Sequence, residues 1–252
     1  MKNYRLLLLI PFMALVACSN EKQISLEQAK EIAKQISQYE STDSFSFTLS
    51  NIGQVGKGES KYTVNLSYQY IYTSKGYYTY LKGNHADQQY DAEMYCVSNT
   101  RHGDVKFVRY YSAEKQDYVK AVSTSKYNSD YETAFSDYGV YRATSAYEYY
   151  HQFRELVVEL YEGDTAKYYS SKDGALTIKY TSNNDKLGSD VDEMTTGGSE
   201  TYIYEDYHLV SINVNTSSNY GNTWDTKGST KYDSSLKVEL PDDWESYLKL
   251  EA

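Results

Sequence analysis

Hydrophobic and polar positions change period several times along this chain, and each change predicts an element. Eleven residues, Leu6 to Val16, come first as an unbroken apolar run. In "ISLEQAKEIAKQISQYES", Leu26, Ala29, Ile32, Ala33 and Ile36 recur at helical spacing. Ser25 with Gln28 has the spacing of a capping box, so a helix is predicted to begin there. From Asp43 the period becomes two, with Phe45, Phe47 and Leu49 alternating against Ser and Thr. Gly53, Gly56 and Gly58 then predict a flexible turn. The clearest strand is "YTVNLSYQYIY": Tyr62, Val64, Leu66, Tyr68, Tyr70 and Tyr72 share one face, opposite Thr63, Asn65, Ser67 and Gln69. Such alternation marks an antiparallel sheet with one covered face. "GYYTYLKGN" is its predicted hairpin partner, and "YDAEMYCVSN", "VKFVRYYSA" and "DYVKAVST" continue the meander.

Ser125 to Gly139 is polar and aperiodic, which predicts a loop. "TSAYEYYHQFRELVVELYEGD" then predicts a second helix. Ser145 and Glu148 form another capping box, Ala146, Tyr149, Tyr150, Phe153, Leu156, Val157 and Leu160 form its apolar stripe, and Gly163 is placed to end it. Strand patterns resume in "AKYYSS", "ALTIKYT", "ETYIYED" and "HLVSINVNTS", around a polar insertion from Asn183 to Ser199. Leu236, Val238 and Leu240 predict a last strand, stopped by Pro241. No internal repeat and no Pro/Gly-rich linker divides the chain, so residues 25–252 are expected to form a single domain. The pattern predicts an α+β fold, a curved antiparallel β-sheet wrapping two amphipathic helices.

The apolar run near the start changes the picture from fold to address. Eleven helical residues span about 16 Å, against a hydrocarbon core of about 30 Å. With Lys2 and Arg5 ahead of it, the run reads as a secretory signal rather than a membrane-spanning helix. Leu15-Val16-Ala17-Cys18 resembles the lipobox of bacterial lipoprotein signal peptides. That resemblance implies cleavage before Cys18, a thioether-linked lipid on Cys18, residues 1–17 as signal peptide and residues 18–24 as a lipidated tether. An ordinary signal cut near Ala17 is the alternative. The expected location is extracytoplasmic, lipid-anchored to the cell membrane or, in a host with two membranes, the outer membrane. Ser19 rather than Asp after the cysteine favours the outer one.

Removing residues 1–17 leaves 235 residues with 23 basic and 35 acidic side chains. On electrostatic grounds nucleic acid and anionic lipid surfaces are poor partners for such a chain. With Cys18 taken as the anchor, Cys96 has no intramolecular disulfide partner and is expected to be a small buried residue. The chain has 31 Tyr against 6 Phe and 2 Trp, so tyrosine rings must supply much of the buried apolar surface.

The order of helix, meander, central helix, further strands and a closing strand ending in Leu-Pro resembles the LolA-like superfamily. Three stretches carry the likeness: "QAKEIAKQISQYESTDSFSFTLS", "DYHLVSINVN" and "LKVELPDDW". The resemblance implies an incomplete β-barrel wrapped around helices, with a hydrophobic cavity that holds acyl chains. Here the face expected to line that cavity departs from the family in being rich in Tyr.

No chemistry-bearing motif competes with a binding role. His85, His102, His151 and His208 lie in separate elements without ligand spacing, and no zinc pattern occurs. "NNDKLGSDVDEM" is acidic but fails the EF-hand pattern at Leu187 and Met194. Ser112–Lys115 and Ser123–Lys126 match S-x-x-K without its partner motifs. No catalytic residue, cofactor or metal is therefore expected, and the protein is expected not to be an enzyme. The expected function is carriage or sensing of a lipid or other amphipathic ligand, held between the sheet and the second helix. Tyr62, Leu66, Tyr68 and Tyr70 on the strand, with Tyr150 and Phe153 on the helix, are the candidate ligand contacts, and plain core packing is the competing role for each. The alternative function is an interaction module presenting Tyr- and Ser-rich loops to a protein or glycan. Ligand identity, host and oligomeric state are not legible in the sequence.

Overall fold

Alternation with period two runs through most of the chain, and nearly every alternating stretch becomes a strand of one continuous sheet. The computed structural model describes residues 21–39, 44–56, 58–101, 103–112, 115–124, 149–151, 160, 166–182, 196–218, 221–246 and 248–249. The elements are β1 (Lys22–Ile24), α1 (Leu26–Gln38), β2 (Phe45–Val55), β3 (Tyr62–Thr73), β4 (Gly76–His85), β5 (Gln88–Asn99), β6 (Gly103–Ser112) and β7 (Asp117–Thr124). They continue with β8 (Ala166–Ser170), β9 (Leu176–Ser182), β10 (Thr196–Glu205), β11 (His208–Ser218), β12 (Thr223–Tyr232) and β13 (Leu248–Lys249). The strand order is β1-β8-β9-β10-β11-β12-β2-β3-β4-β5-β6-β7-β13. Every pairing is antiparallel except the last, where β13 runs parallel to β7.

This architecture corrects the expected α+β fold with two amphipathic helices. The fold is mostly sheet, with one full helix among the described residues, and the sheet stays open because β1 and β13 form separate edges. The cause is the pairing of β12 with β2. It joins the N-terminal meander (β2–β7) edge to edge with the C-terminal one (β8–β12) as a single layer, and α1 packs on the β8–β9 part of it. The second predicted helix falls mostly outside the described residues; Tyr149, Tyr150 and His151 are helical. Leu236, Val238 and Leu240 also differ from expectation. Their segment has no ladder partner and crosses the sheet as an irregular strap, although Val238 is buried.

Local sequence explains the helix. Gln28 N–H donates to Ser25 Oγ at 3.3 Å, and Ser25 N–H donates to Gln28 Oε1 at 3.0 Å, completing the capping box. Ala29, Ala33 and Ile36 form its buried stripe and pack with Tyr168, Leu176 and Ile178 of β8 and β9. That fixes the inner face of the sheet. Phe45, Phe47 and Leu49 of β2 and Val64, Leu66, Tyr68 and Tyr70 of β3 continue the same core, followed by Leu81, Tyr202, Tyr204, Leu209 and Ile212. Thr48, Asn65, Ser67, Asn213 and Asn215 alternate with them on the opposite, outer face and are exposed. At β6 and β7 both faces are covered: Val105, Lys106, Phe107 and Val108 are buried in succession, as are Ala121, Val122 and Ser123.

Candidate functional site

The covered part of the outer face holds a charged network between aromatic rings. Register places Tyr80 (β4), Glu93 (β5), Arg109 (β6) and Lys120 (β7) in one row across four strands. Tyr78, Tyr95, Phe107 and Val122 form the row on one side. On the other side Lys82 pairs with Asp91, and Tyr111 with Tyr118.

Arg109 Nε donates to Glu93 Oε1 at 2.6 Å. The Tyr78 and Tyr95 hydroxyls donate to Glu93 Oε2 at 3.2 and 3.4 Å. The Tyr118 hydroxyl donates to Asp91 Oδ2 at 3.0 Å, and the Arg109 guanidinium lies 4.5 Å over the Tyr118 ring. Asp91 Oδ1 stands 3.9 Å from an Arg109 terminal nitrogen but is buried without a hydrogen bond. Burial disfavours the Arg109 charge, but its hydrogen bond to Glu93 and the charges of Glu93 and Asp91 outweigh that and raise its pKa. Burial, and then the Glu93 charge, push Tyr95 up to about 12. The same two causes raise Tyr78 further, and the hydrogen bond to Asp91 raises Tyr118. All three phenols are held protonated, as donors.

Above this network lies an open groove of about 690 Å³. Glu93, Phe107 and Arg109 line its floor, Asp117, Tyr118 and Lys120 one side, and Pro241 and Asp243 of the C-terminal strap the other. The strap is positioned by a turn in which Trp244 N–H donates to Pro241 C=O at 3.0 Å, and by the pairing of β13 with the edge of β7. The groove therefore offers the exposed Tyr118 ring and the half-buried Pro241 as apolar surface, above the buried Phe107, and fixed donors and acceptors of both signs. Among the described residues no group of three His, Cys, Asp or Glu side chains is arranged to hold a metal ion.

The residues singled out from sequence lie on the inner face. Leu66, Tyr68, Tyr70 and Tyr150 are buried together in the core, while Tyr62 is half-buried with its ring 5.2 Å from His85. Tyr150 stacks on Phe45 at 4.4 Å and lies 5.9 Å from Tyr70, and Tyr68 meets Tyr149 edge-on at 5.1 Å. Phe153, Cys18 and the acidic loop of residues 183–194 lie outside the described residues. Cys96 is half-buried rather than fully buried, with Tyr77 and Lys106 as its register partners. In the Ser112–Lys115 match the Lys115 backbone N–H donates to Ser112 Oγ at 3.3 Å. Sequence reasoning missed Asp91, Glu93, Arg109 and Tyr118. The available signal was acid at i and i+2 in "YDAEMY" opposite a lone arginine in "VKFVRYY", legible only once the hairpin register is known.

No family model matches this chain, and no curated protein matches it. Among solved structures it is similar to a DUF1329 family protein from Desulfovibrio piger, at 11% identity over 84% of this chain and 94% of that one, with a TM-score of 0.27. It is also similar to a LolA superfamily protein from Nitrosomonas europaea, at 9% identity over 87% and 96%, with a TM-score of 0.24. The second belongs to the superfamily that the sequence pattern resembles. TM-scores this low carry nothing about function, which rests on the chain's own residues.

Proposed function

We propose that this chain is an extracytoplasmic protein held to a membrane by lipid on Cys18, and that it binds an amphipathic ligand without catalysis. The ligand site in this reading is the outer-face groove rather than the inner face. One observation carries it: the groove places the exposed Tyr118 ring and the half-buried Pro241 beside the Glu93–Arg109 pair and Lys120, so an apolar body and a polar head both find contacts. Glu93 and Arg109 are committed to each other and to tyrosine hydroxyls, which suits them to orienting a ligand rather than to proton transfer. On the inner face, the candidate tyrosines already contact one another and Phe45.

Native mass spectrometry with lipid extraction, on the chain produced from Ser19 onward, tests the ligand. A stoichiometric amphipathic molecule is expected, and it should be lost from the Tyr118→Ala/Lys120→Glu variant while the sheet's circular dichroism is kept. An apo mass unchanged by incubation with total membrane lipid would overturn the reading. Anchoring is tested separately: Cys18→Ser in the full-length chain should move the protein out of the membrane fraction.

A further inference from the structure

The outer face away from the groove carries an ordered charge pattern that runs against the sign of the whole chain. Over β2–β4 and β8–β12 this face presents five lysines, Lys82, Lys167, Lys179, Lys227 and Lys231, against two carboxylates, Glu205 and Asp225, in a chain of net charge −10. Four of the lysines fall in one row running perpendicular to the strands. The row reads Lys167, Lys179, Thr201, Asn213, Lys227, Ser50, Ser67, Lys82, each the register partner of the next. After the Lys167–Lys179 pair, a lysine recurs every third strand, about 14 Å apart at about 4.8 Å per strand. The positions between are short hydroxyl and amide side chains, and all four lysines are exposed. Lys227 Nζ bonds Asp225 at 2.8 Å, Lys82 Nζ stands 3.9 Å from Asp91, and Lys179 Nζ lies 4.7 Å over the Tyr169 ring.

We propose that this lysine row is a docking surface for a linear acidic polysaccharide laid across the strands. The lysines meet its anionic groups, and Thr201, Asn213, Ser50 and Ser67 bond its hydroxyls between them. Two features favour a chain over a planar anionic membrane. Sheet twist of about 20° per strand turns the two ends of the row, seven strands apart, far out of a common plane, and a flexible polymer follows that turn. Exposed Asp87, Asp173 and Asp242 lie in turns and in the strap, where a broad anionic plane would meet like charge but a single chain along the row would not.

The test is binding of dextran sulfate, with neutral dextran as control, to the chain produced from Ser19 onward, which keeps every described element. Binding should weaken steeply with salt, and Lys82→Gln/Lys179→Gln/Lys227→Gln should reduce affinity roughly tenfold or more. Lys30→Gln/Lys34→Gln/Lys61→Gln removes the same charge from the helix and a turn, and should stay within about twofold. The groove variant Tyr118→Ala/Lys120→Glu should bind the polymer like the parent, which separates this surface from the ligand groove. Absence of binding, or an equal loss in the control triple, would overturn the proposal. So would capture by phosphatidylglycerol vesicles through the same lysines without polymer binding, which would make the partner a membrane.

Discussion

Arg109 and Glu93 face each other across β5 and β6 with the Arg109 Nε 2.6 Å from Glu93 Oε1, and this single pair organises the floor of the groove. Their side chains are 28% and 15% exposed, so the pair is largely withdrawn from water. Replacing one partner strands the other charge, whereas replacing both does not. Arg109→Met should therefore cost about 2–4 kcal/mol, because Glu93 and Asp91 then repel without a cation between them. Arg109→Met/Glu93→Gln should recover a substantial part of that loss. Urea denaturation of the single and double variants checks the sign: equal stability in both would mean that the pair is not coupled.

Four tyrosines set the alkaline limit of the fold. Burial raises Tyr78, Tyr95, Tyr202 and Tyr204, with Tyr95 at about 12 against an ordinary 10. A phenol held protonated in the folded chain contributes stability that is fully present below its unfolded pKa and is lost as pH rises through its folded pKa. Stability should thus be level up to about pH 10 and fall from there toward about pH 12. Absorbance at 295 nm should show one group of tyrosines titrating near pH 10 and a second ionising only together with loss of the sheet signal. Titration of all tyrosines in one step before unfolding would contradict this.

The helix and the first meander were legible because their causes are local. Ser25 and Gln28 sit three residues apart, and the alternation from Tyr62 to Tyr72 needs no partner to be read. The strand β12 was not legible. Its inward positions are Trp224, Thr226, Gly228, Thr230 and Tyr232, so three of the five carry no hydrophobic signal. Yet β12 joins the two meanders, and its pairing with β2 spans almost the whole described chain. Without it a closing strand was expected at Leu236 to Leu240 instead, and the expected α+β fold rested on a second helix read from the stripe of Ala146 to Leu160. The groove was hidden for the same reason: Glu93, Arg109 and Pro241 meet only through register and the path of the strap.

The capping box is a local feature with a local cost. Ser25 satisfies the Gln28 N–H, and Gln28 returns a bond to the Ser25 N–H. Ser25→Ala should lower stability by about 1 kcal/mol, and Ser25→Asp should restore most of it. Thermal denaturation of the three forms decides whether α1, which packs on β8 and β9, unfolds with the sheet. One shared transition, shifted in Ser25→Ala, is expected. A separate early loss of helix signal would mean that α1 melts by itself.

Gly228 tests the seam directly. A Cβ there would lie 3.0 Å from Leu49 Cδ1, 3.2 Å from Ile212 Cδ1 and 3.3 Å from Phe47 Cε2. These three side chains belong to β2 and β11, the strands on either side of β12, so the glycine lets both meanders close over one core. Small additions at its neighbours' tips can be absorbed, but a branched side chain cannot. Gly228→Val should cost about 1–3 kcal/mol by overpacking, and Leu49→Ala alone about 2–5 kcal/mol by leaving a cavity. Because the valine methyls would occupy the space Leu49 vacates, the double variant should be more stable than the sum of the two losses predicts. Additive losses would place Gly228 and Leu49 out of contact and the seam elsewhere.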